Sequence, residues 1–550
     1  MKTSGGRFLA FILPVSLAAA VFAQPWPVDR ACANAQTVAQ ILQKCRRAVD
    51  AWLAARDPQT NLLPVHLPGS PWVSNPKVNL YRVRDSAADL YPFLLLSDWF
   101  SQRNRFANLM FDILQSDVLL TTDSLGFPHD ADLRPLHVHR MTLEDLIFGA
   151  SEYAKDGLTP VVELLGRTPW FDRMVQLVDA ILEYAPVRSR FGRLPSGLAE
   201  VNGEMLQTLV RLYSMTGRSR YLEAAERIGD AYVFEVMPLN NGLPSHRWNF
   251  QTHDGLDYLN LRDHGCEIIG GLGLLFALES DLGRERARSY YGPIKAMLDR
   301  IATTANAEGL FFNRIRCSDL TPLDTELNDN WGYVYTAWLD FSLATGEDHY
   351  REAVRRVLRN LPKYRNAEWQ HAPADGYADS IEGALWLLNR LPVPEGCDWV
   401  ESEARRMLGF QTDRGWIEGW YGDGNWVRTA LMVALWKTQG CWLEPWNPQV
   451  VSVGAARNDD TLTVVVKARR AWRGKLRFDR PRHRDVWGFP QNYARINEFP
   501  EWYPVDGMTA YVVEHNRSRS VVLGSKLHRG LRVQVKPGRA KIFRVFPAKK

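Results

Sequence analysis

The sequence predicts a mainly α-helical protein: an (α/α)6 or (α/α)7 toroid at residues 24–445, followed by a C-terminal antiparallel β-sandwich at residues 446–550. Two observations predict this fold. Two kinds of helix alternate along most of the chain, and short β-branched runs replace them after Trp446. A chain of 550 residues is too long for one small core, so more than one domain is expected.

The first 23 residues, MKTSGGRFLAFILPVSLAAAVFA, have the pattern of a secretory signal peptide. Lys2 and Arg7 form a basic start, an apolar run follows, and Val21-Phe22-Ala23 fits a cleavage site after Ala23. We therefore expect a secreted or periplasmic protein, with a retained membrane anchor as the alternative. No later segment has the ~20 uninterrupted apolar residues of a membrane-spanning helix.

Six cysteines in an exported chain permit disulfide bonds. Fifteen full pairings are possible, and proximity in the sequence together with positions flanking the same helices favours Cys32–Cys45 and Cys397–Cys441. None of the six has the CxxC spacing of a zinc site, so neither a metal nor another cofactor is expected.

Charge is distributed unevenly along the chain. From Arg457 to the end there are 22 Lys and Arg against 8 Asp and Glu, a net charge of +14, so the rest of the chain carries about −9. A basic tail beside an acidic body favours an anionic partner such as an acidic polysaccharide or the cell envelope. The alternative is that scattered surface arginines only solvate a β domain. No nucleic-acid-binding motif is present, so no nucleic-acid partner is expected, and the protein is predicted to be a monomer.

The two kinds of helix differ in how many of their faces are polar. In the amphipathic class, apolar residues recur three and four apart and the opposite face is charged. The other class is apolar nearly all round and must be buried on every side. The amphipathic helices are predicted at 218–232, 284–302 and 347–361, and the apolar helices at 266–278, 332–344, 381–388 and 425–436.

Alternation of the two classes predicts two concentric layers, with apolar inner helices surrounded by amphipathic outer ones. Gly270 and Gly271 are expected where two inner helices approach closely. Successive inner helices are separated by about 45 to 67 residues, which is one helical hairpin plus a loop, so six or seven hairpins are expected to close into a ring. The inner helices begin near Asp85, Glu144, Glu200, Asp263, Asn330, Asp379 and Gly424.

After Trp446 the predicted strands are TLTVVVKA, GKLRFD, TAYVVEH, SRSVVLG, LRVQVKPG and AKIFRVF. They are β-branched and separated by turn residues, as is typical of antiparallel sheets. The longest interruption, residues 484–507, is rich in aromatic residues and proline, and a loop of that length is expected to be functional or packed on a neighbour.

The loops that enter the inner helices should open on one face of the ring, and they combine acids with aromatic residues. GWYGDGNW at 419–426 is one example. Helix capping accounts for some of the acids but not for the accompanying Trp, Tyr and His. Apolar walls with a few placed polar groups are typical of ligand sites, and the chain has 20 Trp, so a sugar chain is the predicted ligand.

Glycoside hydrolysis requires one carboxylic acid to protonate the leaving oxygen and a second carboxylate as base or nucleophile. Asp263, Glu267, Asp329 and Asp423 are the predicted catalytic residues because they lie just before or within the first turn of an inner helix. Asp263 and Glu267 are four residues apart and share a helix face. For each of them, a capping role or a buried ion pair is the alternative.

We call the loops that enter the inner helices the mouths of the ring. Their remaining polar and aromatic residues are predicted to bind the substrate. Glu200 and Glu204, four residues apart, could bind hydroxyls or act as the acid/base pair. His137 and His139 could ligate a metal as HxH, but no third ligand is apparent in the sequence, so a structural or substrate contact is preferred. The predicted substrate-binding residues are Arg84, His139, Asn202, Glu204, His264, Trp331, Tyr333, Trp416, Trp420 and Arg428.

With its alternating helices, its mouths of acid and aromatic residues and its β tail, the chain resembles the secreted (α/α)-toroid carbohydrate-active enzymes, both glycoside hydrolases and polysaccharide lyases. WYGDGNW is similar to Gly- and Trp-rich segments of unsaturated glucuronyl hydrolases. Class II terpene cyclases also form helical rings, but their DxDD motif is absent.

The resemblance implies an enzyme acting on a poly- or oligosaccharide, acidic sugars included. Glycoside hydrolysis is preferred because carboxylates are so frequent at the mouths. The first alternative is a polysaccharide lyase, with His264 or Tyr333 as base and Asn202, Arg84 or Arg428 neutralising a uronate. The second alternative is a non-catalytic glycan-binding or envelope protein.

Overall fold

A computed structural model describes residues 27–71, 79–262, 264–369, 373–516 and 518–548. The predicted signal peptide lies outside these residues. Within them, no helix is both long enough and apolar enough to cross a membrane.

Helices dominate residues 27–438. The α-helices are α1 Pro27–Ala55, α2 Tyr91–Ser101, α3 Arg103–Arg105, α4 Phe111–Ser116, α5 Leu143–Glu152, α6 Thr159–Leu165, α7 Pro169–Tyr184, α8 Ala199–Thr216, α9 Ser219–Ala231, α10 Met237–Leu239, α11 Glu267–Asp281, α12 Glu285–Ala302, α13 Trp331–Thr345, α14 Asp348–Asn360, α15 Pro373–Arg390, α16 Pro394–Gly409, α17 Asp423–Thr438 and α18 Gly524–Arg529. Wider π-helical turns lie at Val83–Leu90, Phe106–Met110, Asp117–Thr121, Tyr153–Leu158, Tyr232–Val236 and His483–Trp487, and a 3-10 turn at Leu361–Tyr364.

Seven inner helical segments form a closed ring in the described residues. Each contacts the next, and the last contacts the first. The outer helices α1, α7, α9, α12, α14 and α16 pack around them. The prediction of alternating inner and outer helices is therefore confirmed, and the ring has seven members. In order around the ring they are Val83–Leu90 with α2, α5 with Tyr153–Leu158, α8, α11, α13, α15 and α17.

Glycines allow the inner helices to touch through their backbones. A Cβ on Gly203 in α8 would lie 2.2 Å from the backbone nitrogen of Ile268 in α11. Gly271 faces Leu206 from the other side of the same interface. Gly332 in α13 and Gly383 in α15 likewise face each other backbone to backbone. The expectation of close helix approach is thus confirmed at Gly271, whereas the nearest neighbour of Gly270 is the side chain of Ile496, which lies outside the helical ring.

Short strands tie together the loops that lead into the inner helices. They pair antiparallel as β1–β2–β3, β4–β5, β6–β7 and β8–β9. Isolated bridges link further loops, among them His66 with Trp420 and Leu198 with Arg247. The strands are β1 Leu80–Tyr81, β2 Ala131–Leu133, β3 Leu136–Val138, β4 Val187–Ser189, β5 Gly192–Leu194, β6 Trp248–Asn249, β7 Asp254–Gly255, β8 Tyr258–Asn260 and β9 Arg314–Arg316.

The C-terminal strands form two antiparallel sheets, one with the order β11-β12-β17-β14-β15 and one with the order β10-β13-β16. The predicted antiparallel strands are confirmed, whereas their stacking as a sandwich and a boundary at residue 446 stay predictions. The strands are β10 Trp442–Glu444, β11 Val451–Asn458, β12 Thr461–Ala468, β13 Trp472–Arg477, β14 Ala510–His515, β15 Ser518–Leu523, β16 Leu531–Val535 and β17 Ala540–Pro547.

The long loop of the β region closes one end of the ring, and we call residues 482–507 the plug. Trp386 Nε1 in α15 donates to the carbonyl of Glu498 at 2.9 Å, and the backbone N–H of Ala494 donates to Asp340 Oδ1 in α13 at 2.7 Å. Buried Glu163, which follows the second inner segment, accepts from Arg482 at 2.8 Å. The expectation that this loop packs on a neighbour is confirmed, and the plug lies at the C-terminal ends of the inner helices.

The disulfide predictions are wrong. All six cysteines are free thiols, and Cys45, Cys266, Cys317 and Cys441 are buried. Cys32 and Cys45 lie on the single helix α1, about 20 Å apart at the helical rise per residue, which is far beyond the reach of a disulfide. Cys397 lies in α16 and Cys441 beyond the end of α17, and they also remain unbonded.

Candidate active site

Three carboxylates and one imidazole from neighbouring inner segments meet near the N-terminal ends of α8 and α11, and we call Glu152, Asp156, Glu204 and His264 the acid centre. One oxygen or nitrogen of each lies within 4.8 Å of those of the others. His264 Nδ1 is 3.7 Å from Glu152 Oε1 and 3.6 Å from Asp156 Oδ2. The three acids are buried, and the His264 side chain is 17% exposed, so solvent reaches the centre at the imidazole.

Helical spacing explains how the acids meet. Glu152 and Asp156 are four residues apart where α5 passes into the π-helical turn, and Glu204 lies in the second turn of α8. Residues four apart lie close together on one side of a helix, and both Glu152 and Asp156 approach His264. In α8, Glu200 lies on the same helix face as Glu204, one turn earlier, and is partly exposed.

His264 is held in an unusual backbone conformation, with φ at +60°. A left-handed conformation is disfavoured for a residue with a Cβ and persists where surrounding contacts enforce it, often at functional sites. The carbonyl of His264 accepts from the backbone N–H of Glu267 at 2.9 Å, which ties the histidine to the start of α11.

A buried lysine keeps part of the acid centre ionised. Lys155 Nζ donates to Asp156 Oδ1 at 2.8 Å and also pairs with Glu267, all three side chains being almost fully buried. Burial alone would raise the pKa of Asp156, but the charges of Lys155 and His264 outweigh it and lower the pKa. Burial alone would lower the pKa of His264, but Asp156 and Glu152 raise it well above its ordinary value. The imidazolium and the Asp156 carboxylate therefore stabilise each other.

The two acids of α8, Glu200 and Glu204, have raised pKa values and so favour the protonated form. Burial and the nearby Glu152 raise the pKa of Glu200 to about 8. Burial, Glu152 and Asp156 raise the pKa of Glu204 well above its ordinary value. In the described part of the chain, neither carboxyl oxygen of Glu204 has a hydrogen-bond partner of normal geometry. At neutral pH the site thus contains protonated acids beside the ionised Asp156.

A second polar group adjoins the acid centre around Arg428 in α17. Its guanidinium pairs with Asp379 at 2.7 Å and with Glu382, both in α15, and lies 3.1 Å from Asn425 Oδ1. The Tyr333 hydroxyl donates to Glu382 at 3.2 Å. These side chains are buried, so the group braces α13, α15 and α17 against one another next to the site.

The exposed rim combines a cation with aromatic rings. The Arg84 guanidinium lies 3.5 Å from Glu152 and remains 47% exposed, so it can also reach a ligand. Trp420 and Tyr421 are partly exposed and pack edge to face, with ring centroids 4.5 Å apart. Trp420 Nε1 donates to Glu418 at 3.0 Å, which orients the indole.

The predicted catalytic residues differ in their surroundings. Asp263 lies outside the described residues. Glu267 is fully buried and binds Lys155 and Gln207. Asp329 is buried at the start of α13, where the backbone N–H of Asn330 donates to it at 2.9 Å. Asp423 is 1% exposed and accepts from Trp52 Nε1 at 3.0 Å and from the backbone of 417–419, which fixes the turn before α17.

Among the predicted substrate-binding residues, Arg84, Glu204 and His264 meet at the acid centre, Tyr333 and Arg428 lie in the group beside it, and Trp420 lies on the rim. The other four are held elsewhere. Asn202 donates to the carbonyl of Ser196, Trp331 is buried with its Nε1 on Ser380, Trp416 lies against the guanidinium of Arg414, and His139 pairs with Asp132 beyond β3.

Glu152 and Asp156 were not among the predicted site residues, because they lie inside a helical segment rather than in its entry loop. The available signal was GASEYAKDGL at 149–158, where three charged residues interrupt an otherwise apolar inner segment. Buried charges inside a helix require partners, so that pattern indicates a polar cluster.

The acid centre could also hold a divalent cation, because each of its four members offers one ligand atom. His137 and His139, the HxH pair noted in the sequence, contact each other with ring centroids 5.8 Å apart and do not belong to this set.

No protein-family model and no curated protein matches the chain. Several solved structures are similar to the chain. They are (α/α)-toroid carbohydrate-active enzymes, the class that the sequence was predicted to resemble. An inactive variant of an α-1,6-mannanase of Salegentibacter sp. HEL1_6, in complex with α-1,6-mannotetrose, is 14% identical with a TM-score of 0.40, covering 58% of this chain and 96% of that one. Cellobiose 2-epimerase from Bacillus thermoamylovorans B4167 is 11% identical with a TM-score of 0.40, covering 59% and 87%. Unsaturated glucuronyl hydrolase from Bacillus sp. GL1 is 11% identical with a TM-score of 0.39, covering 54% and 87%.

Proposed function

We propose that the protein is a glycoside hydrolase that cleaves a poly- or oligosaccharide, acidic sugars included, at the acid centre. Glu200 is the proton donor and Asp156 the second carboxylate. The observation that carries the proposal is the convergence of acids from the second inner segment and from α8 around His264, at the end of the ring opposite the plug.

Glu200 has the properties of a general acid. It is partly exposed, so a glycosidic oxygen can approach it, and its pKa of about 8 keeps it protonated at neutral pH. A proton donor works best when its pKa lies near the working pH. Transfer of its proton to the leaving oxygen breaks the glycosidic bond, and Glu200 is left as a carboxylate.

Asp156 has the properties of the second carboxylate, which acts as base or nucleophile. Lys155 and His264 keep it ionised, and a carboxylate can act as base toward water or as nucleophile toward the anomeric carbon. Two acids whose surroundings push their pKa values apart are the arrangement that acid/base catalysis requires. The His264 imidazolium and Arg84 then remain to bind hydroxyls or a uronate carboxylate.

The lyase alternative fits these surroundings less well. Elimination needs a deprotonated Tyr or His near the sugar C5 proton. The pKa of Tyr333 is raised well above its ordinary value by burial and by Asp379, and the pKa of His264 is raised by Asp156. Both candidate bases are therefore protonated at neutral pH.

Glu200→Gln and Asp156→Asn test the proposal in purified full-length protein screened against neutral and acidic polysaccharides. Release of reducing ends without ultraviolet-absorbing unsaturated products is expected, and each variant should lose about 100-fold or more of that activity. Glu200→Gln should retain activity on an aryl glycoside whose leaving group needs no protonation. Unchanged rates in excess EDTA would assign the acid centre to proton transfer rather than to a bound cation.

Glu279→Gln is the matched control. Glu279 is a buried carboxyl of the same helix ring with its pKa raised to about 7, but it lies near the C-terminal end of α11 beside Arg284. Its replacement should leave turnover within about twofold of the parent, because it lies outside the acid/base machinery. Less than tenfold loss in Glu200→Gln, unsaturated products, or an epimerised product of unchanged length would each contradict the proposal.

A further inference from the structure

The second sheet of the β region has a strongly basic outer face. Arg473, Lys475 and Arg477 alternate along β13 and therefore share one side of the strand. On the neighbouring strand β16, Arg532 lies directly opposite Lys475 and Gln534 opposite Arg473. Trp472 and Leu476 point the other way and are buried.

Like charges directly opposite each other destabilise a sheet, so the Lys475–Arg532 pair is unfavourable without an anion between them. Within the described residues Arg473 and Arg532 form no ion pair. Glu444 on β10 is the carboxylate near this face, and it is shared by Arg477 at 2.6 Å, Lys475 at 3.9 Å and Arg103 at 4.0 Å. The face thus keeps a clear excess of positive charge.

A cleft with aromatic walls continues from this face. It has a volume of about 440 Å³ and lies between the C-terminal ends of α2 and α17 and the sheet. Trp99 and Trp442 line it with ring centroids 5.9 Å apart, and Arg103 lies over the Trp99 ring at 4.4 Å. Arg480 and Arg529 also line the cleft and form no ion pair in the described part of the chain.

Arg477 joins the two parts, since it lines the aromatic cleft and lies two residues from Lys475 on the basic face. A second hollow of about 480 Å³ continues past Arg473, Arg532 and Lys541. We call this continuous surface the basic cleft. Trp99 lies in the last turn of α2, at the C-terminal end of the first inner segment, and Arg482 of the plug also lines the cleft, so the basic cleft lies at the plugged end of the ring.

We propose that the basic cleft is a second, non-catalytic binding site for an anionic polysaccharide. Guanidinium groups bind sulfate and carboxylate through paired hydrogen bonds, and aromatic walls accept the apolar faces of sugar rings. Choosing a polysaccharide over a nucleic acid rests on the function proposed for the mouth. A chain bound here would be concentrated beside an acidic body that by itself repels anions.

The test measures binding of full-length protein to heparin, polygalacturonate, neutral dextran and a double-stranded DNA fragment, by titration and by retention on immobilised heparin in a salt gradient. The variant carries Arg473→Glu, Lys475→Glu and Arg532→Glu, all at exposed positions. Its matched control carries Arg470→Glu, Arg519→Glu and Lys526→Glu, which give the same change in net charge outside the basic cleft.

We expect the first triple variant to lose tenfold or more of its affinity for heparin or polygalacturonate. The control should lose less than twofold. Equal losses in both would overturn the proposal, because net charge alone would then explain binding. Equal binding of dextran, or tighter binding of DNA through the same residues, would also overturn it. Binding is measured in Glu200→Gln as well, so a missing hydrolase activity would not affect the outcome.

Discussion

Glu200 differs from the acids of the centre because it is partly exposed to solvent. The negative charge of Glu152 still disfavours the ionised form of Glu200. A group with a raised pKa is protonated below that pKa and ionised above it. The proton that we propose Glu200 transfers to the leaving oxygen is therefore present in the acidic and neutral range and is lost as pH rises through about 8. Asp156, whose pKa is lowered by Lys155 and His264, is ionised at neutral pH.

The pH profile of hydrolysis should consequently fall on its alkaline side at a pH near 8. On an aryl glycoside that needs no protonation, Glu200→Gln should lack this alkaline fall, since the titrating group is gone. Initial rates from pH 4 to 10 measure both profiles. An alkaline fall that persists in Glu200→Gln would assign it to another residue.

Sequence reasoning identified Glu204, His264 and Arg84 because they lie at helix entries. It also favoured Glu267 and Asp423 for the same reason, whereas the fold surrounds these two with a lysine and with backbone N–H groups. Distinguishing a carboxylate that braces a turn from one that faces a ligand requires its neighbours across the ring. Those neighbours, such as Lys155 for Glu267, are more than a hundred residues away in the chain.

At the scale of elements, the inner helices were predictable because an all-apolar helix has no solvent-facing side. Ring size was not, since spacings of 45 to 67 residues suit either six or seven hairpins. The closing contact between α17 and α2 decides it. The π-helical turn at Tyr153–Leu158 also left no sequence signal, yet it carries Asp156 into the centre.

The interface between α8 and α11 predicts a sharp contrast between two glycines. Gly203→Ala should lower Tm strongly, by the equivalent of about 3 kcal/mol, because its Cβ meets the backbone of Ile268 and Glu267 and neither can yield. It should also reduce activity, since Glu204 follows directly.

Gly409→Ala, at the exposed end of α16 with open space around it, should leave Tm and activity unchanged or slightly raised. Thermal unfolding and hydrolysis assays compare the two. A Gly203→Ala protein as stable as Gly409→Ala would show that α8 and α11 are not packed this closely.

At the scale of the whole molecule, the plug couples the β region to the ring. Arg482 and Arg495 from the plug reach the buried Glu163, Arg211 in α8 donates to the carbonyl of Ile496, and Arg390 in α15 pairs with Glu498. Alternating strands and aromatic loops in the sequence indicate a β region. They do not indicate that one of these loops packs across the end of the helical ring. That arrangement depends on partners contributed by α6, α8, α13 and α15.

Asp340 offers a test of this coupling through the pH dependence of stability. It is buried where α13 meets the plug, accepts from Ala494 N–H through one oxygen, and has a second oxygen with no hydrogen-bond partner among the described residues. Burial raises its pKa to about 8, whereas in the unfolded chain it titrates near 3.8. Between these values the folded state holds a proton that the unfolded state releases, so stability falls as pH rises from about 4 to 8.

Asp340→Asn keeps an acceptor for Ala494 and removes the ionisation. Its Tm should be close to that of the parent at pH 4.5 and higher at pH 8, by the equivalent of a few kcal/mol, on the order of one per pKa unit. Asp179→Asn, which changes a partly exposed carboxylate paired with Arg220 on the outer layer, should show no such pH-dependent gain. Calorimetry of the three proteins at both pH values makes the comparison. An Asp340→Asn protein whose Tm differs from the parent equally at pH 4.5 and pH 8 would mean that Asp340 is already ionised in the fold, and that the contact between the ring and the plug is looser than its buried geometry implies.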